Sequence, residues 1–216
     1  MTKIKICGLR RKEDILIVNK YKPDYIGFVF AQNSKRKVTI DEALYLKSLL
    51  DKDIKAVGVF LNNDILFLQE IIKKGIIDLI QLHGNEDNSY LKKIREFSDL
   101  PIIKAYNDDP LCDFVLVDNI IPGSGIEGNF VLPDVNKPCF LAGGINKDNI
   151  FKALKEKPYC IDVSSGVEVN GFKDEEKIKE IIRVVRDYES VKIWRIWWTI
   201  CSRNINECRK WAWTSL

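Results

Sequence analysis

A cysteine ends the first apolar stretch of the chain, in the sequence KIKICGL at residues 3–9. The alternation of polar and apolar residues predicts a β-strand that places Lys5 and Cys7 on the same face, and Gly8 ends this strand. A buried cysteine often packs as a small hydrophobic side chain. Its thiolate, however, is a base, and a neighbouring ammonium group such as that of Lys5 favours the thiolate. The residues that accompany Cys7 therefore decide between a structural and a chemical role.

Side chains able to do chemistry follow later apolar stretches in the same way. Arg36 lies in AQNSKRKV after the second stretch, and QLHG at the end of the fourth carries Gln81 and His83. Asp118 ends the sixth stretch. A carboxyl group can transfer a proton, and a guanidinium group matches a carboxylate with two parallel hydrogen bonds. These residues predict acid–base chemistry on an anionic ligand.

The last two apolar stretches are followed by residues typical of an anion site. The two segments are AGGI and DVSSG, with Gly143, Gly144, Asp162, Ser164, Ser165 and Gly166. Exposed glycine N–H groups, serine hydroxyls and the N-terminus of a following helix together bind phosphate. We therefore expect a phosphorylated small molecule as the ligand.

The elements that must position these residues alternate along the chain. Short apolar runs predict eight strands, at residues 4–7, 25–30, 55–60, 78–82, 102–106, 113–118, 139–143 and 160–165. Helical spacing of apolar residues predicts helices at 11–21, 39–50, 64–75, 146–157 and 173–188. Thr39 with Glu42 predicts a capping box, and Asn146 or Asp148 is expected to cap the helix after the seventh strand.

This alternation predicts an α/β fold in which residues 1–188 form a single-domain (β/α)8 TIM barrel. No GxGxxG follows the first strand, which disfavours a dinucleotide-binding fold. Only residues 107–113 separate the fifth and sixth strands, so the fifth βα unit is too short for a full helix. In such a barrel the active site lies at the C-terminal ends of the strands, where the residues named above are found.

Composition excludes several classes of function. His83 is the only histidine and the six cysteines form no CxxC pair, so we expect no metal and reduced thiols. The segment MTKIKICGL lacks the long apolar stretch of a signal peptide and no run of about eighteen apolar residues occurs, so we expect a cytoplasmic protein without a membrane partner. The five basic and two acidic residues from Glu189 onward account for the formal charge of +3. The rest of the chain is neutral, which argues against binding to nucleic acid.

Residues 189–216 form an atypical C-terminal tail that contains all five tryptophans of the chain. One interpretation is an amphipathic helix or membrane-surface anchor, although the polar run SRNINECRK interrupts its apolar face. Another is translation of a shifted reading frame. A one-nucleotide shift within Ile193 can, with free codon choice, spell YGEFGGQYVPETLMNA, which resembles the N-terminal region of the tryptophan synthase β chain. In that case the tail has no evolved function.

Several motifs together carry a family resemblance. KICGL, GFVF with SKR, QLHG, VD followed by GSG, AGGI and DVSSGVE occur in this order and spacing. In this combination residues 3–188 closely resemble the phosphoribosylanthranilate isomerases of tryptophan biosynthesis. The resemblance implies a (β/α)8 barrel that converts N-(5-phosphoribosyl)anthranilate to 1-(2-carboxyphenylamino)-1-deoxyribulose 5-phosphate. This Amadori rearrangement is an aldose–ketose isomerisation without metal or cofactor, and we expect a monomer or a homodimer.

The resemblance also implies roles for individual residues. Cys7 matches the general base of the family, Asp118 its general acid, and Arg36 the residue that holds the anthranilate carboxylate. The reaction needs a proton on the ring oxygen and a base for the C2 proton, so two groups suffice. Burial is expected to raise the pKa of the acid so that it can donate. The remaining expected substrate and phosphate ligands are Lys5, Gln81, His83, Asp162, Gly143, Gly144, Ser164, Ser165 and Gly166.

Two alternatives remain at this point. Indole-3-glycerol-phosphate synthase shares the barrel and the phosphate loops, but it would need a lysine as general acid. A phosphate-binding barrel without catalysis is the second. The family pattern GSGxxFDW is also altered here to GSGIEGNFVLPDV, which leaves Phe130 and Asp134 without an assigned equivalent.

Overall fold

The computed structural model describes residues 1–118 and 130–188. Eight parallel strands pair in sequence order, and β8 pairs with β1 to close a barrel. The strands are β1 Lys3–Cys7, β2 Tyr25–Val29, β3 Lys55–Phe60, β4 Leu79–Leu82, β5 Ile102–Ala105, β6 Phe114–Asp118, β7 Cys139–Ala142 and β8 Cys160–Val163. The predicted TIM barrel is confirmed, and the predicted strands begin or end within two residues of the observed ones.

Helices surround the barrel and connect most of its strands. They are α1 Lys12–Tyr21, α2 Ile40–Leu49, α3 Ile65–Lys73, α4 Asn88–Arg95, α5 Ile150–Lys155 and a final helix, α6, at residues 175–188. After β8, the residues Ser165–Val167 form a 3-10 turn, and a short hairpin pairs β9 Glu168–Val169 with β10 Phe172–Lys173. The Trp-rich tail, predicted for residues 189–216, lies outside the described residues.

Local sequence signals account for several helix ends. The capping box at Thr39 is confirmed, since its hydroxyl accepts from the Glu42 N–H and the Glu42 carboxylate accepts from the Thr39 N–H. The predicted cap of α5 is wrong, because this helix begins at Ile150 with Asn149 as N-cap. Asn146 instead closes a turn before the helix, in which its side chain accepts from the Asp148 N–H.

The connection after β4 contains a helix in the outer layer, whereas the connection after β5 does not. Helix α4 was not predicted from the sequence, although its buried residues Leu91 and Ile94 lie three positions apart, as on one face of a helix. The side chain of Asp87 caps this helix by accepting from the Tyr90 N–H. No helix occurs between β5 and β6, as the short segment predicts. The barrel therefore has an asymmetric outer layer.

The core consists of an outer layer and a barrel interior. Ile4 and Ile6 pack with the helices in the outer layer. Lys5, from the alternate face of β1, reaches across the interior to Gln81 of β4. Below these polar groups the interior is filled by Tyr25, Val57, Leu79, Ile103, Leu116, Phe140 and Cys160. The alternation of β1 thus separates packing residues from those that point toward the barrel mouth.

Candidate active site

Cys7 lies at the C-terminal end of β1, with its side chain among Val29, Ala31 and Val59 at the barrel mouth. Gly27 of β2 is its register partner. A Cβ atom at Gly27 would lie 2.6 Å from the Cys7 Sγ, so the glycine provides the space for the thiol. Gly27 was not identified from the sequence, because nothing in YIGFV indicates which side chain needs the space.

Lys5 lies directly below Cys7 and is completely buried. Its ammonium group donates to the Gln81 Oε1 at 2.8 Å and to the Asp162 Oδ2 at 2.7 Å. Asp162 in turn has a buried Oδ1 without a hydrogen-bond partner among the described residues. Lys5 is therefore placed beneath the mouth as a buried cation, and Asp162 keeps one unused acceptor.

Two cations influence the ionisation of Cys7. Burial raises the pKa of the thiol, whereas Lys5 and Lys173 lower it and the Asp162 carboxylate raises it. The net pKa is above the ordinary value, because burial outweighs both lysines. The expected effect of Lys5, which favours the thiolate, is therefore present but smaller than the effect of burial.

Gln81 connects this buried pair to His83 and Asp118 on the other side of the mouth. The Gln81 Nε2 lies 3.2 Å from the His83 Nδ1. The His83 Nε2 lies 3.7 Å from the Asp118 Oδ2, which is too long for a hydrogen bond. Burial lowers the pKa of His83 despite the nearby Asp118 carboxylate, so the imidazole is neutral at pH 7.

Arg36 reaches the end of β1 from the loop after β2. Its side chain passes over Gly8, where a Cβ atom would lie 2.3 Å from the Arg36 Cδ. The guanidinium donates from Nε and Nη2 to the two carboxylate oxygens of Glu168, each at 2.7 Å. The ammonium group of Lys173 donates to the same carboxylate at 2.8 Å. Burial raises the pKa of Glu168, but the hydrogen bonds from Arg36 and Lys173 outweigh burial and lower this pKa from 4.5 to about 2.

Glu168 and Lys173 were not identified from the sequence. They face each other on the β9–β10 hairpin, whose turn residues Asn170 and Gly171 both have positive φ angles. Asn-Gly between two apolar residues, as in VNGF, is a strong signal for a two-residue hairpin turn. That signal could have predicted the hairpin, although not its position beside Arg36.

The two glycine-containing segments lie next to each other. Gly143 and Gly144 have φ angles of 106° and 60°, which glycine adopts without strain. A Cβ atom at Gly166 would lie 1.9 Å from the Ile145 carbonyl oxygen, so the segment after β8 touches the segment after β7. The Ser164 hydroxyl donates to the Cys7 carbonyl at 3.0 Å and so ties β8 to β1, a structural contact that the expected phosphate role did not include. Ser165 is exposed in the 3-10 turn.

Other features of the described residues bear on the class of protein. Among residues 1–118 and 130–188, no three His, Cys, Asp or Glu side chains lie close enough to hold a metal ion. No helix within these ranges is both long and apolar enough to cross a membrane. A closed parallel barrel with a thiol, a carboxyl group and an arginine around its mouth defines a TIM-barrel enzyme equipped for proton transfer.

Comparison with known proteins identifies the family. Residues 4–184 match the model of the N-(5'-phosphoribosyl)anthranilate isomerase family. An N-(5'-phosphoribosyl)anthranilate isomerase of Endomicrobium trichonymphae is 45% identical over 199 residues, covering 86% of this chain and 99% of the relative. The chain belongs to the phosphoribosylanthranilate isomerase family, and it is an isomerase of the aldose–ketose class that acts in tryptophan biosynthesis.

Two solved structures of the same family have closely similar folds. A phosphoribosyl anthranilate isomerase in complex with reduced 1-(o-carboxyphenylamino)-1-deoxyribulose 5-phosphate has a TM-score of 0.72 and 30% identity, covering 85% of this chain and 97% of its own. Monomers generated from the dimeric phosphoribosylanthranilate isomerase of Thermotoga maritima give a TM-score of 0.70 and 29% identity, covering 85% and 97%. The family assignment excludes the lyase and the non-catalytic barrel as interpretations.

Proposed function

We propose that the chain catalyses, in the cytoplasm and without a cofactor, the Amadori rearrangement of N-(5-phosphoribosyl)anthranilate with Asp118 as general acid and Cys7 as general base. The observation that carries the assignment is that both groups end barrel strands at one mouth. Cys7 ends β1 and Asp118 ends β6, with β7 and β8 between them on the shorter side. A sugar between these strands would have the two groups on opposite sides.

The chemistry consists of two proton transfers. Asp118 donates a proton to the ring oxygen while the C1–O bond breaks, and the nitrogen lone pair forms the C1=N double bond of an iminium ion. Cys7, as thiolate, then removes the C2 proton, the electron pair of that bond forms the C1=C2 double bond of an enolamine, and the C1=N π pair returns to nitrogen. Tautomerisation of the enolamine gives the ketose. Because only protons move, an acid and a base account for the reaction.

Substrate ligands are assigned by the chemistry of the groups around the mouth. Arg36 has donors beyond those used by Glu168, which fits a ring carboxylate. Asp162 has the unused Oδ1, which fits a sugar hydroxyl. The adjoining segments with Gly143, Gly144, Ser164, Ser165 and Gly166 fit the phosphate, Ser164 through its backbone.

Three further side chains are proposed to support the site without a direct contact to the substrate. Lys5 acts through Cys7 and Asp162, because its ammonium group is completely buried. Gln81 and His83 line the mouth between Lys5 and Asp118. The oligomeric state is a monomer or a homodimer, the latter by analogy with the dimeric enzyme from Thermotoga maritima. Sedimentation equilibrium of the full chain distinguishes the two.

The test of the mechanism is a fluorescence assay that follows consumption of phosphoribosylanthranilate. Cys7→Ser and Asp118→Asn are each expected to lower kcat by about 10²- to 10⁴-fold, the range typical of general acid–base groups. Cys112→Ser and Asp53→Asn, which change the same residue types away from the mouth, are matched controls with unchanged kcat. Unchanged rates in the first two variants would refute the assigned acid and base.

A further inference from the structure

Glu168 is a carboxylate with 9% of its side chain exposed, beside the proposed substrate arginine, and the two proton transfers do not use it. We propose that Glu168, held by Lys173, is a positioning residue that orients the Arg36 guanidinium toward the anthranilate carboxylate. The inference rests on the proposed role of Arg36 in the reaction. It assigns to the β9–β10 hairpin a part in substrate recognition.

The hydrogen-bond geometry leaves one edge of Arg36 available for a second carboxylate. A guanidinium group has five N–H donors, one on Nε and two on each Nη atom. Glu168 accepts from Nε and from Nη2, each at 2.7 Å. The edge formed by Nη1 and the second Nη2 proton can therefore donate to another carboxylate in the same paired geometry. Glu168 determines the direction in which that edge points.

The charges of the three residues favour an anionic ligand. Arg36 and Glu168 alone would form a neutral pair. Lys173 donates to the Glu168 Oε1 at 2.8 Å and to the Ser164 carbonyl at 2.9 Å, which adds a buried positive charge. The triad of Arg36, Glu168 and Lys173 thus carries a net charge of +1, and a ring carboxylate would neutralise it.

The hairpin that carries Glu168 and Lys173 is itself anchored to the first βα unit. The Arg10 Nη2 donates to the Gly171 carbonyl at 3.0 Å, and the guanidinium groups of Arg10 and Arg11 lie 4.8 and 4.3 Å from the centre of the Phe172 ring. The Lys177 ammonium donates to the Glu168 carbonyl at 2.9 Å. These contacts restrain the carboxylate of Glu168 before any substrate binds, so that little ordering is left for the binding step.

The experiment measures binding of reduced 1-(o-carboxyphenylamino)-1-deoxyribulose 5-phosphate by calorimetry, together with KM and kcat. Glu168→Gln is expected to raise Kd and KM about tenfold and to leave kcat within about twofold, since oriented charge-assisted bonds are lost. The substitution also increases the net charge of the triad. A purely electrostatic role therefore predicts tighter binding of the anion, the opposite direction.

A double-mutant cycle shows whether Glu168 acts through Arg36. Arg36→Met is expected to raise Kd about a hundredfold, and adding Glu168→Gln to it is expected to cause no further rise. The same ligand without its ring carboxylate should bind equally well to the native protein and to Glu168→Gln. Glu175→Gln, which removes a half-exposed carboxylate of α6 that accepts from Lys20 and Tyr21, is the matched control and should change neither constant.

The outcomes separate the two levels of the proposal. An unchanged Kd in Arg36→Met would overturn the role of Arg36, and the positioning role of Glu168 with it. If Arg36→Met weakens binding, but Glu168→Gln tightens it, has no effect or acts independently of Arg36, only the positioning role is overturned. Should Glu168→Gln not fold, Glu168→Asp replaces it. This variant keeps the charge on a shorter side chain and is expected to raise Kd about threefold.

Discussion

The two sides of the barrel mouth differ in how their reactive groups are held. On the side of β1, β2 and β8, Cys7 is flanked by buried lysines, and Arg36 is paired to Glu168 at 2.7 Å. On the side of β4 and β6, Asp118 and His83 are 23% and 30% exposed, and the His83 Nε2 lies 3.7 Å from the Asp118 Oδ2. After the proposed roles of Cys7 and Asp118, we call these the base side and the acid side. The base side is organised by buried charges before substrate binds, whereas the acid side is more open to solvent.

The difference between the two sides follows from the protonation states that a base and an acid need. A thiol in a buried site loses its proton only when cations offset the burial, so the base needs fixed positive charges close by. A carboxyl group donates from its neutral form, so fixed positive charges close by would disfavour the donor instead of supporting it. Substitutions on the two sides should therefore differ in their effects, and the largest effect is expected at Lys5.

Replacing Lys5 should affect activity and stability together. Lys5→Met leaves the Asp162 carboxylate buried without its cation, which costs about 3–5 kcal/mol of unfolding free energy. It also removes a positive charge beside Cys7, so kcat should fall about a thousandfold if the thiolate carries the reaction. Urea unfolding and the fluorescence assay measure the two effects.

Lys104→Met is the matched control for that variant. Lys104 forms a buried pair with Glu86 at 3.2 Å, behind the loop that follows His83. A similar loss of stability is expected, with kcat reduced by less than about tenfold. Equal losses of kcat in both variants would show that the base side has no special dependence on its buried cation.

Lowering the pH should reduce the free energy of unfolding by protonating the Glu168 carboxylate. Its pKa is about 2 in the folded protein against an ordinary value of 4.5, so its contribution to stability is complete above pH 4.5 and is lost as the pH falls through 2. The contribution is at most about 3 kcal/mol. Urea unfolding between pH 7 and 2 should therefore show a smaller pH dependence for Glu168→Gln. Identical slopes would contradict the depressed pKa.

Gly27→Ala tests the space reserved for the thiol. The added Cβ would lie 2.6 Å from the Cys7 Sγ, so the thiol must move, and kcat should fall about ten- to a hundredfold. Gly75→Ala is the comparison, since its Cβ meets nothing within 4 Å although its φ angle is positive. That variant should lose stability and keep its kcat. A normal kcat in Gly27→Ala would show that the position of the thiol is not critical.

The acid side should tolerate substitution better. His83→Asn removes a neutral imidazole that makes no short bond to Asp118, so we expect kcat to fall less than about tenfold. The kcat profile of the native protein should show no inflection near pH 6.5 from this residue. A loss as large as that of Asp118→Asn would identify His83 as a participant in proton transfer.

The smallest effect is expected outside the described barrel. Deleting residues 189–216 should leave kcat/KM unchanged, because the family match ends at residue 184 and all the groups named above precede it. The nucleotide sequence provides the independent check of the shifted-frame hypothesis. It is rejected if the shifted frame does not continue as a β-chain sequence. A large loss of activity on deletion would assign the tail a role.

Much of the fold and of the mouth could be predicted from the sequence. The alternation of apolar runs and helical patterns predicts the eight strands, because the spacing of apolar residues within each strand or helix reflects which of its faces is buried. Strand ends in a parallel barrel meet at one mouth, so Cys7, Arg36 and Asp118 could be grouped without coordinates. Helix α4 was missed, although its buried residues Leu91 and Ile94 keep helical spacing and the side chain of Asp87 caps it.

The partners of these residues could not be predicted in the same way. Glu168 and Lys173 belong to a motif that the sequence marks as a turn, and only the placement of the hairpin beside Arg36 makes them part of the site. Gly27 matters because of one side chain on the neighbouring strand. These contacts join residues distant in sequence, and no local pattern encodes them.

By itself, the sequence determined the barrel, the location of its mouth and the residue types able to transfer protons there. These follow from periodicity and from strand ends, which are properties of short segments. Only the tertiary structure decided that Lys5 is a buried cation beneath Cys7, that burial outweighs this cation at the thiol, and that Arg36 is already held by Glu168. The physical reason is that charge pairing and desolvation depend on distances across the barrel, which exist only once the chain has closed on itself.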